Sequence, residues 1–461
     1  MNNNTIRMQD RLVPILQKCP NLRYLAFGSA QQSPFECLPS SKDAYIDPQL
    51  IFLWCPHLIY LEVYNLRYSE YRKMAIDHLQ KNHQQQYNSG SKSTILTRAD
   101  ISLSANNNKG LRSLIVYESD PYYLPETINN TCFFENTNTL EFLVLGRCFQ
   151  SRTSGIWGLI LQNIGILPVL HTLVLDDIVY YHDGDSLDSI NIMLTQCPTL
   201  ETLILHDTGS RLKQPRINLP MVLSCLKQLK CLNLNNIHFT WDYVDDNDEE
   251  REVDTNLTST STLVTPVISQ EQRFFEQLAN SNSKIYKIRL NGSSPVLTDE
   301  LILGFACLPS LKELFLGTFN EFTKEGLYRF SEMLHKRNSC IETLEAKGLQ
   351  GDCISDSTLY ILGKLPHIQR IHLSGASTQI LEMNSAAIIK LLLCNVYASR
   401  SLRSLFLGYM VFSDINDNHH HKKKVDPVEL LESKLSRHYD VIRLAHSFNF
   451  YSLGIAYRNH K

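Results

Sequence analysis

The sequence predicts an α/β solenoid, a stack of strand-plus-helix units, and three observations lead there. At 461 residues the chain is far longer than one compact domain usually is, which leaves several domains or one elongated array. A single apolar phrase, Leu-x-x-Leu-x-Leu with occasional apolar substitutes, recurs twelve times, opening at Leu22, Leu58, Leu111, Leu140, Leu170, Leu200, Leu229, Ile285, Leu311, Ile341, Ile368 and Leu402. Successive openings fall 26 to 56 residues apart and cluster at 26 to 30, the period of a repeat that carries one strand and one helix.

Each part of the unit has its own signal. The end of the phrase alternates apolar residues, as in Leu143-Val144-Leu145 and Leu203-Ile204-Leu205, which suits a short strand buried on at least one face. Helix precedes it: Ser186 offers a cap, and Leu187, Ile190, Ile192, Met193 and Leu194 fall mostly along one face before Cys197-Pro198 stops the run. The stop recurs at Cys19-Pro20, Cys55-Pro56, Leu167-Pro168, Leu308-Pro309 and Leu365-Pro366, because proline disfavours helix at the preceding residue and has no amide to give. The Cys or Leu ahead of it is expected as a core plug. One unit cannot bury its own apolar edge, so units stack, with parallel strands on one side and helices on the other. Helices are wider than strands, and the expected fold is therefore a leucine-rich-repeat solenoid curved into a horseshoe, strands on the concave face and helices on the convex one.

The expected organisation is a solenoid of about twelve repeats over residues 1–410, with two interruptions. The segment 68–110 opens with a helix over Glu70–Lys81 and then turns polar, as an insertion or degenerate repeat. The segment 241–269 carries Asp242, Asp245, Asp246, Asp248, Glu249, Glu250, Glu252 and Asp254 before a Ser/Thr-rich run, with too few large apolar residues to offset ordering entropy, and is expected to be a disordered acidic loop. Residues 411–425 form a His/Lys-rich loop, and 426–461 a C-terminal cap in which Asp426-Pro427 starts a helix over Val428–Arg437 with Tyr439–Tyr457 packed alongside. At the ninth position of the phrase, where such repeats prefer Asn or Cys, only Cys148 fits; Leu66, Ile178, Ile237, Phe319, Leu349 and Met410 predict turns packed by apolar side chains.

Composition narrows the function by exclusion. Lys plus Arg number 44 against 47 for Asp plus Glu, a net charge of -3, which offers no global field for nucleic acid or an anionic membrane. The opening stretch lacks the apolar core of a signal peptide, and no run of about 18 apolar residues occurs, so a cytoplasmic or nuclear protein is expected. Twelve cysteines without a C-x-x-C pair predict buried reduced thiols rather than disulfides or a zinc site. The adjacent His419-His420-His421 and Lys422-Lys423-Lys424 predict a solvated loop. Nucleophile elbow, phosphate-binding glycine loop, H-E-x-x-H and calcium loop are all missing, and the pair His206-Asp207 has no matching nucleophile. No enzyme, cofactor or metal is expected.

The [Cys/Leu]-Pro-x-Leu-x-x-Leu-x-Leu phrase resembles the repeat array of F-box and leucine-rich-repeat proteins, whose solenoids recruit substrates to cullin-RING ubiquitin ligases. The resemblance covers roughly Leu12 to Met410 and implies a substrate receptor. An F-box, a helical module of about 40 to 50 residues, would normally precede the repeats, whereas Leu22 already opens the first phrase, so adaptor binding is expected only if an F-box lies outside this chain. A regulator of a small GTPase, which would need a loop supplying Arg or Asn to a nucleotide site, and a purely structural scaffold are the alternatives. A protein partner on the concave face is expected, with the chain a monomer or part of a hetero-complex.

Strand geometry places that partner. The third, fifth and seventh positions of each phrase alternate away from the leucines and should face the concave wall. Early copies contribute Tyr24, Tyr60, Glu62, Tyr64, Ile115, Tyr117, Phe142, Val144, Val174 and Ile204; later ones Asn233, Asn235, Lys287, Arg289, Glu313, Glu345, Lys347, Arg370 and His372. The candidate protein-binding residues are Tyr24, Tyr60, Tyr64, Tyr117, Phe142, His206, Asn233, Lys287, Arg289, Arg370 and His372. The main contact is expected on Tyr60, Tyr64, Tyr117 and Phe142, because an exposed apolar stripe with polar tips makes a binding anchor. The competing expectation is that the insertion after Leu66 or the tail folds back and buries this stripe, since both are long enough to reach.

Overall fold

A computed structural model of the chain describes residues 8–27, 48–63, 69–88, 110–117, 136–146, 164–176, 186–206, 216–241, 269–281, 283–292, 296–317, 320–376, 380–397, 402–413, 426–446 and 451–458. It divides into two compact units, the first Met1–Ile217 with Cys225–Leu229, the second Asn218–Ser224 with Lys230–Lys461. The acidic segment after Trp241, residues 414–425 of the His/Lys-rich loop, Cys148 and the turn residues Leu66, Ile178 and Phe319 lie outside the described residues, whereas Val411 and Phe412, expected in that loop, belong to a strand.

In the first unit the helices α1 (Met8–Leu16), α2 (Pro48–Trp54), α3 (Ser69–Asn88) and α4 (Ser186–Thr195) are interleaved with the strands β1 (Tyr24–Phe27), β2 (Tyr60–Val63), β3 (Ser113–Tyr117), β4 (Phe142–Gly146), β5 (Thr172–Asp176) and β6 (Thr202–His206). Each strand pairs in parallel with the next, and the register sets like positions of the phrase side by side: Leu61 meets Leu114, then Leu143, Leu173 and Leu203. The phrase is therefore the structural repeat. From the second copy on its leucines are buried, each burial stabilising by about 1.5 to 3 kcal/mol. Neighbouring copies are also stitched by side chains, since the hydroxyls of Thr139 and Thr199 donate to the carbonyls of Leu111 and Leu170 at 2.9 Å.

The strand β7 (Arg216–Asn218) and helix α5 (Leu219–Cys225) lie where the chain passes from one unit to the other. The second unit then runs β8 (Cys231–Asn235), β9 (His238–Thr240), α6 (Gln270–Asn280), β10 (Lys287–Asn291), α7 (Asp299–Phe305), β11 (Glu313–Leu316), α8 (Lys324–Lys336), β12 (Thr343–Lys347), α9 (Asp356–Leu362), β13 (Arg370–Ser374), β14 (Leu381–Met383), α10 (Ser385–Tyr397), β15 (Ser404–Phe412), α11 (Pro427–Leu435), β16 (Tyr439–His446) and β17 (Tyr451–Tyr457). Strands β8, β10, β11, β12, β13 and β15 are parallel neighbours in that order. The tail departs from the repeat: β17 pairs antiparallel with β15, and β16 antiparallel with β17, so the C-terminal segment adds two strands to the sheet beside α11.

Helices α6 to α11 pack one on the next, each of five opening at a side-chain cap: Ser269, Thr298, Thr323, Ser355 and Asp426 accept from amides two or three residues ahead. Close packing of α6 on α7 needs Gly304, because a Cβ there would sit inside the Phe275 ring. Each unit is thus a stretch of leucine-rich-repeat solenoid, with parallel strands in phrase register and helices packed in succession.

The two turns of the repeat explain its odd residues. Where a helix is followed by the Cys/Leu-Pro-x-Leu segment, that segment closes a β-turn, with Leu22, Leu58, Leu200 and Leu311 donating their amides to the carbonyls of Cys19, Cys55, Cys197 and Leu308 at 3.0 to 3.4 Å. At the ends of β8 and β12 and within β15, the eighth phrase position takes a left-handed backbone, at Asn236 (φ 56°), Gly348 (φ 71°) and Tyr409 (φ 47°). That reversal drives the ninth residue inward, and Ile237, Leu349 and Met410 are buried there as apolar plugs.

Candidate functional site

The two units treat the strand face opposite the leucines in different ways. In the first unit β4 and β5 are buried along their whole length, both faces included. The cover is α3, the helix expected in the insertion, which runs from Ser69 to Asn88 and lies against β3 and β4. Ala75 and Leu79, flanked by Tyr71 and Met74, pack on Tyr60, Ile115, Phe142, Val144, Val174 and Ile204 in one cluster. Tyr60 and Phe142, expected as partner anchors, are therefore core residues of this unit at 3% and 1% exposure. The physical reason is that the apolar stripe is satisfied from within the chain by the helix that follows it. Tyr24 remains half exposed at the edge, its ring 6.1 Å from that of Tyr60. Tyr64 and the side chain of Tyr117 lie outside the described residues.

Polar groups set the helix on the wall. Glu62, fully buried at a fifth phrase position, accepts from Arg72 Nε at 2.8 Å and Nη2 at 2.7 Å, and from the Tyr60 hydroxyl at 2.6 Å. Burial and the bond to Glu62 push the Tyr60 hydroxyl pKa up, so it stays a donor. Further along α3, His78 Nε2 lies 2.9 Å from Glu141 Oε2, while Arg112 holds Glu141 Oε1 at 2.8 and 2.5 Å. Burial raises the Glu141 carboxyl pKa, but the bonds from His78 and Arg112 and the Arg112 charge outweigh it and hold the carboxyl below its ordinary value. His171 joins this group, its ring 5.8 Å from that of His78.

His206 finds a partner other than its sequence neighbour. Adjacent strand residues point to opposite faces, whereas Asp176 and His206 are register partners on β5 and β6, and Asp176 Oδ1 lies 2.5 Å from His206 Nδ1. Asp207 lies outside the described residues.

In the second unit the strands alternate buried and half-exposed residues, as in β10 and β12. Two rows cross the strands. The third phrase positions line up Lys287, Glu313, Thr343 and Arg370; the fifth positions line up Asn233, Arg289, Phe315, Glu345, His372 and Phe406. Asn233, Lys287, Arg289, Arg370 and His372, all expected here, do share one face. Lys287 pairs with Glu313 at 2.8 Å, and Glu345 sits between Lys347 at 2.6 Å and His372 at 3.6 Å. His372 and Lys347 hold the Glu345 carboxyl down to about 2 against the burial that raises it. The Arg289 guanidinium lies over the Phe315 ring at 4.4 Å, and His372 stands edge-on to Phe406 at 4.2 Å. Neither Arg289 nor Arg370 makes an ion pair among the described residues. A shallow pocket of about 110 Å³ opens among Asn235, Arg289, Asn291, Phe315, Glu345 and Lys347. The same alternation places Phe315 and Phe406 on this face, a signal that the sequence also carries.

Burial pushes the thiols of Cys231, Cys307 and Cys353 up to about 11 and that of Cys197 to about 12, which leaves them unreactive at neutral pH. Among the described residues no helix is long and apolar enough to cross a membrane. No family model matches the sequence, and no curated protein matches it either. Among solved structures, the chain is similar to one described as the crystal structure of a TLR13–ssRNA13 complex, with 15% identity and a TM-score of 0.36. The match covers 82% of this chain and 39% of that one, so this chain spans well under half the length of its structural neighbour.

Proposed function

We propose that this chain is a protein-binding repeat module whose contact surface is the strand face of the second unit. The observation that carries the reading is the contrast in cover: α3 seals the corresponding face of the first unit, whereas the second presents Arg289, over half-exposed Phe315, and Arg370, both without ion-pair partners among the described residues, with half-exposed Phe406 on the same face. Arginine and aromatic side chains are enriched among the residues that anchor protein interfaces, and both arginines can meet carboxylates. The partner is an extended acidic segment of another protein, lying across β10 to β15. Delivery of the bound protein to a ubiquitin ligase is the specific form that the F-box resemblance suggests, and it rests on that resemblance alone.

The test is fluorescence anisotropy against a panel of extended peptides rich in Glu and aromatic residues, with Lys-rich peptides as the control. Acidic peptides should bind the parent, and Arg289→Glu with Arg370→Glu, in a protein that melts like the parent, should weaken them at least about tenfold, the loss of about 1.4 kcal/mol. Equal binding of both peptide classes, or no effect of the double change, would remove this face from consideration.

A further inference from the structure

A second site lies under α3, independent of the binding face. Arg112, Glu141 and His171 occupy the second position of three successive phrases, and parallel register sets those positions one strand spacing apart, about 4.8 Å. His78 reaches down to the same row from α3, 2.9 Å from Glu141. The ligating atoms of His78, Glu141 and His171 all lie within 4.8 Å of one another. One feature of this group has no structural explanation: His171 Nδ1 is buried and makes no hydrogen bond, a costly state for a ring nitrogen.

We propose that His78, Glu141 and His171 form a three-ligand site for a divalent transition-metal ion, Zn²⁺ by its donor set, which pins α3 to the strand face of the first unit. Two imidazoles and a carboxylate with a water in the fourth position make a familiar zinc environment, and bonds of about 2.0 to 2.2 Å put tetrahedral ligands about 3.4 Å apart. The His78–Glu141 pair is already that close, and closing the rest asks His171 to move by at most about 1.4 Å, the difference between 4.8 and 3.4 Å. Arg112 plays the orienting part: bonded twice to Oε1, it turns Oε2 toward His78 and the shared space. Its charge opposes a second cation, so the site is expected to bind moderately rather than with the tightness of an all-thiolate one. The three ligands come from a helix and two successive repeats, so a bound ion ties the cover to the wall, and metal supply would set how firmly that face is closed.

The probe is Co²⁺, whose visible absorption marks four-coordinate sites, titrated into full-length protein carrying His419→Ala, His420→Ala and His421→Ala to remove the adjacent histidines. One equivalent should produce the visible bands without the near-ultraviolet absorption of cobalt–thiolate bonds, and Zn²⁺ should displace it. His171→Gln and His78→Ala should each weaken binding at least about tenfold, and saturating Zn²⁺ should raise the melting temperature of the parent but not of either variant. X-ray absorption of the zinc-loaded parent, which needs no substitution in the site, should show two imidazoles and no sulfur. Absence of bands, bands that survive both changes, or a sulfur shell would each overturn the proposal.

Discussion

Replacing Arg72 by alanine tests whether the cover on the first unit is held by its buried ion pair. The change removes both bonds to Glu62, at 2.7 and 2.8 Å, and leaves a carboxylate that is 1% exposed with the Tyr60 hydroxyl as its remaining partner from this trio. Breaking a fully buried pair costs about 3 to 5 kcal/mol, but the Arg72 side chain is 40% exposed, and solvent screening discounts the loss to about 2 kcal/mol. Lysine at the same position keeps the charge and loses the bidentate geometry, so it should recover part of that loss. Urea unfolding reads the total, and hydrogen exchange reads its place: amides of α3 between Tyr71 and Lys81 should lose protection before those of β4 do, because the helix can lift while the strand ladder stays paired. A loss below about 0.5 kcal/mol with exchange in α3 unchanged would show that apolar contact alone holds the helix and that the ion pair contributes nothing.

Two further outcomes follow from the same coordinates. Leu203→Ala, at a fully buried fourth position with paired strand β5 beside it, should cost about 2 to 5 kcal/mol in urea unfolding, and a loss under about 0.5 kcal/mol would mean that the phrase is not the core of the repeat. The Glu345 carboxyl, held at about 2 when folded, contributes stability that is complete above the ordinary carboxylate range and is lost as the pH falls toward 2. Glu345→Gln should therefore flatten the acid side of the stability profile between about pH 5 and 2; parallel profiles for the two proteins would refute the assignment.

The strands and their stacking were legible in the sequence because both follow from local periodicity. A leucine at the first, fourth and sixth positions can be buried only if the phrase is a strand edge, and twelve copies can be satisfied only by stacking. The proline turns and the cap at Asp426 were readable for the same reason, since each acts within four residues. The left-handed residue that turns the ninth position inward at Ile237, Leu349 and Met410 carries no common side chain, being Asn, Gly and Tyr in turn, so apolar plugs could be expected but the backbone device that seats them could not.

Which face is wet was decided by tertiary structure. Alternation put Tyr60, Phe142 and Arg289 at equivalent places on the same side of their strands, and from the sequence the greasier residues looked the better anchors. The folded chain reverses that choice, because α3 returns across the early strands and matches Arg72 to Glu62 and His78 to Glu141, contacts made across 10 and 63 residues that no periodicity encodes. The cluster of His78, Glu141 and His171 was hidden for the same reason: Glu141 and His171 share the second phrase position, but His78 stands outside any phrase, and only the parallel register of successive repeats, with a helix laid over it, brings the three within 4.8 Å. Periodicity is a property of a segment and settles which residues turn inward; exposure of the opposite face depends on what else the chain lays upon it, and that is a long-range contact set which only the folded molecule contains.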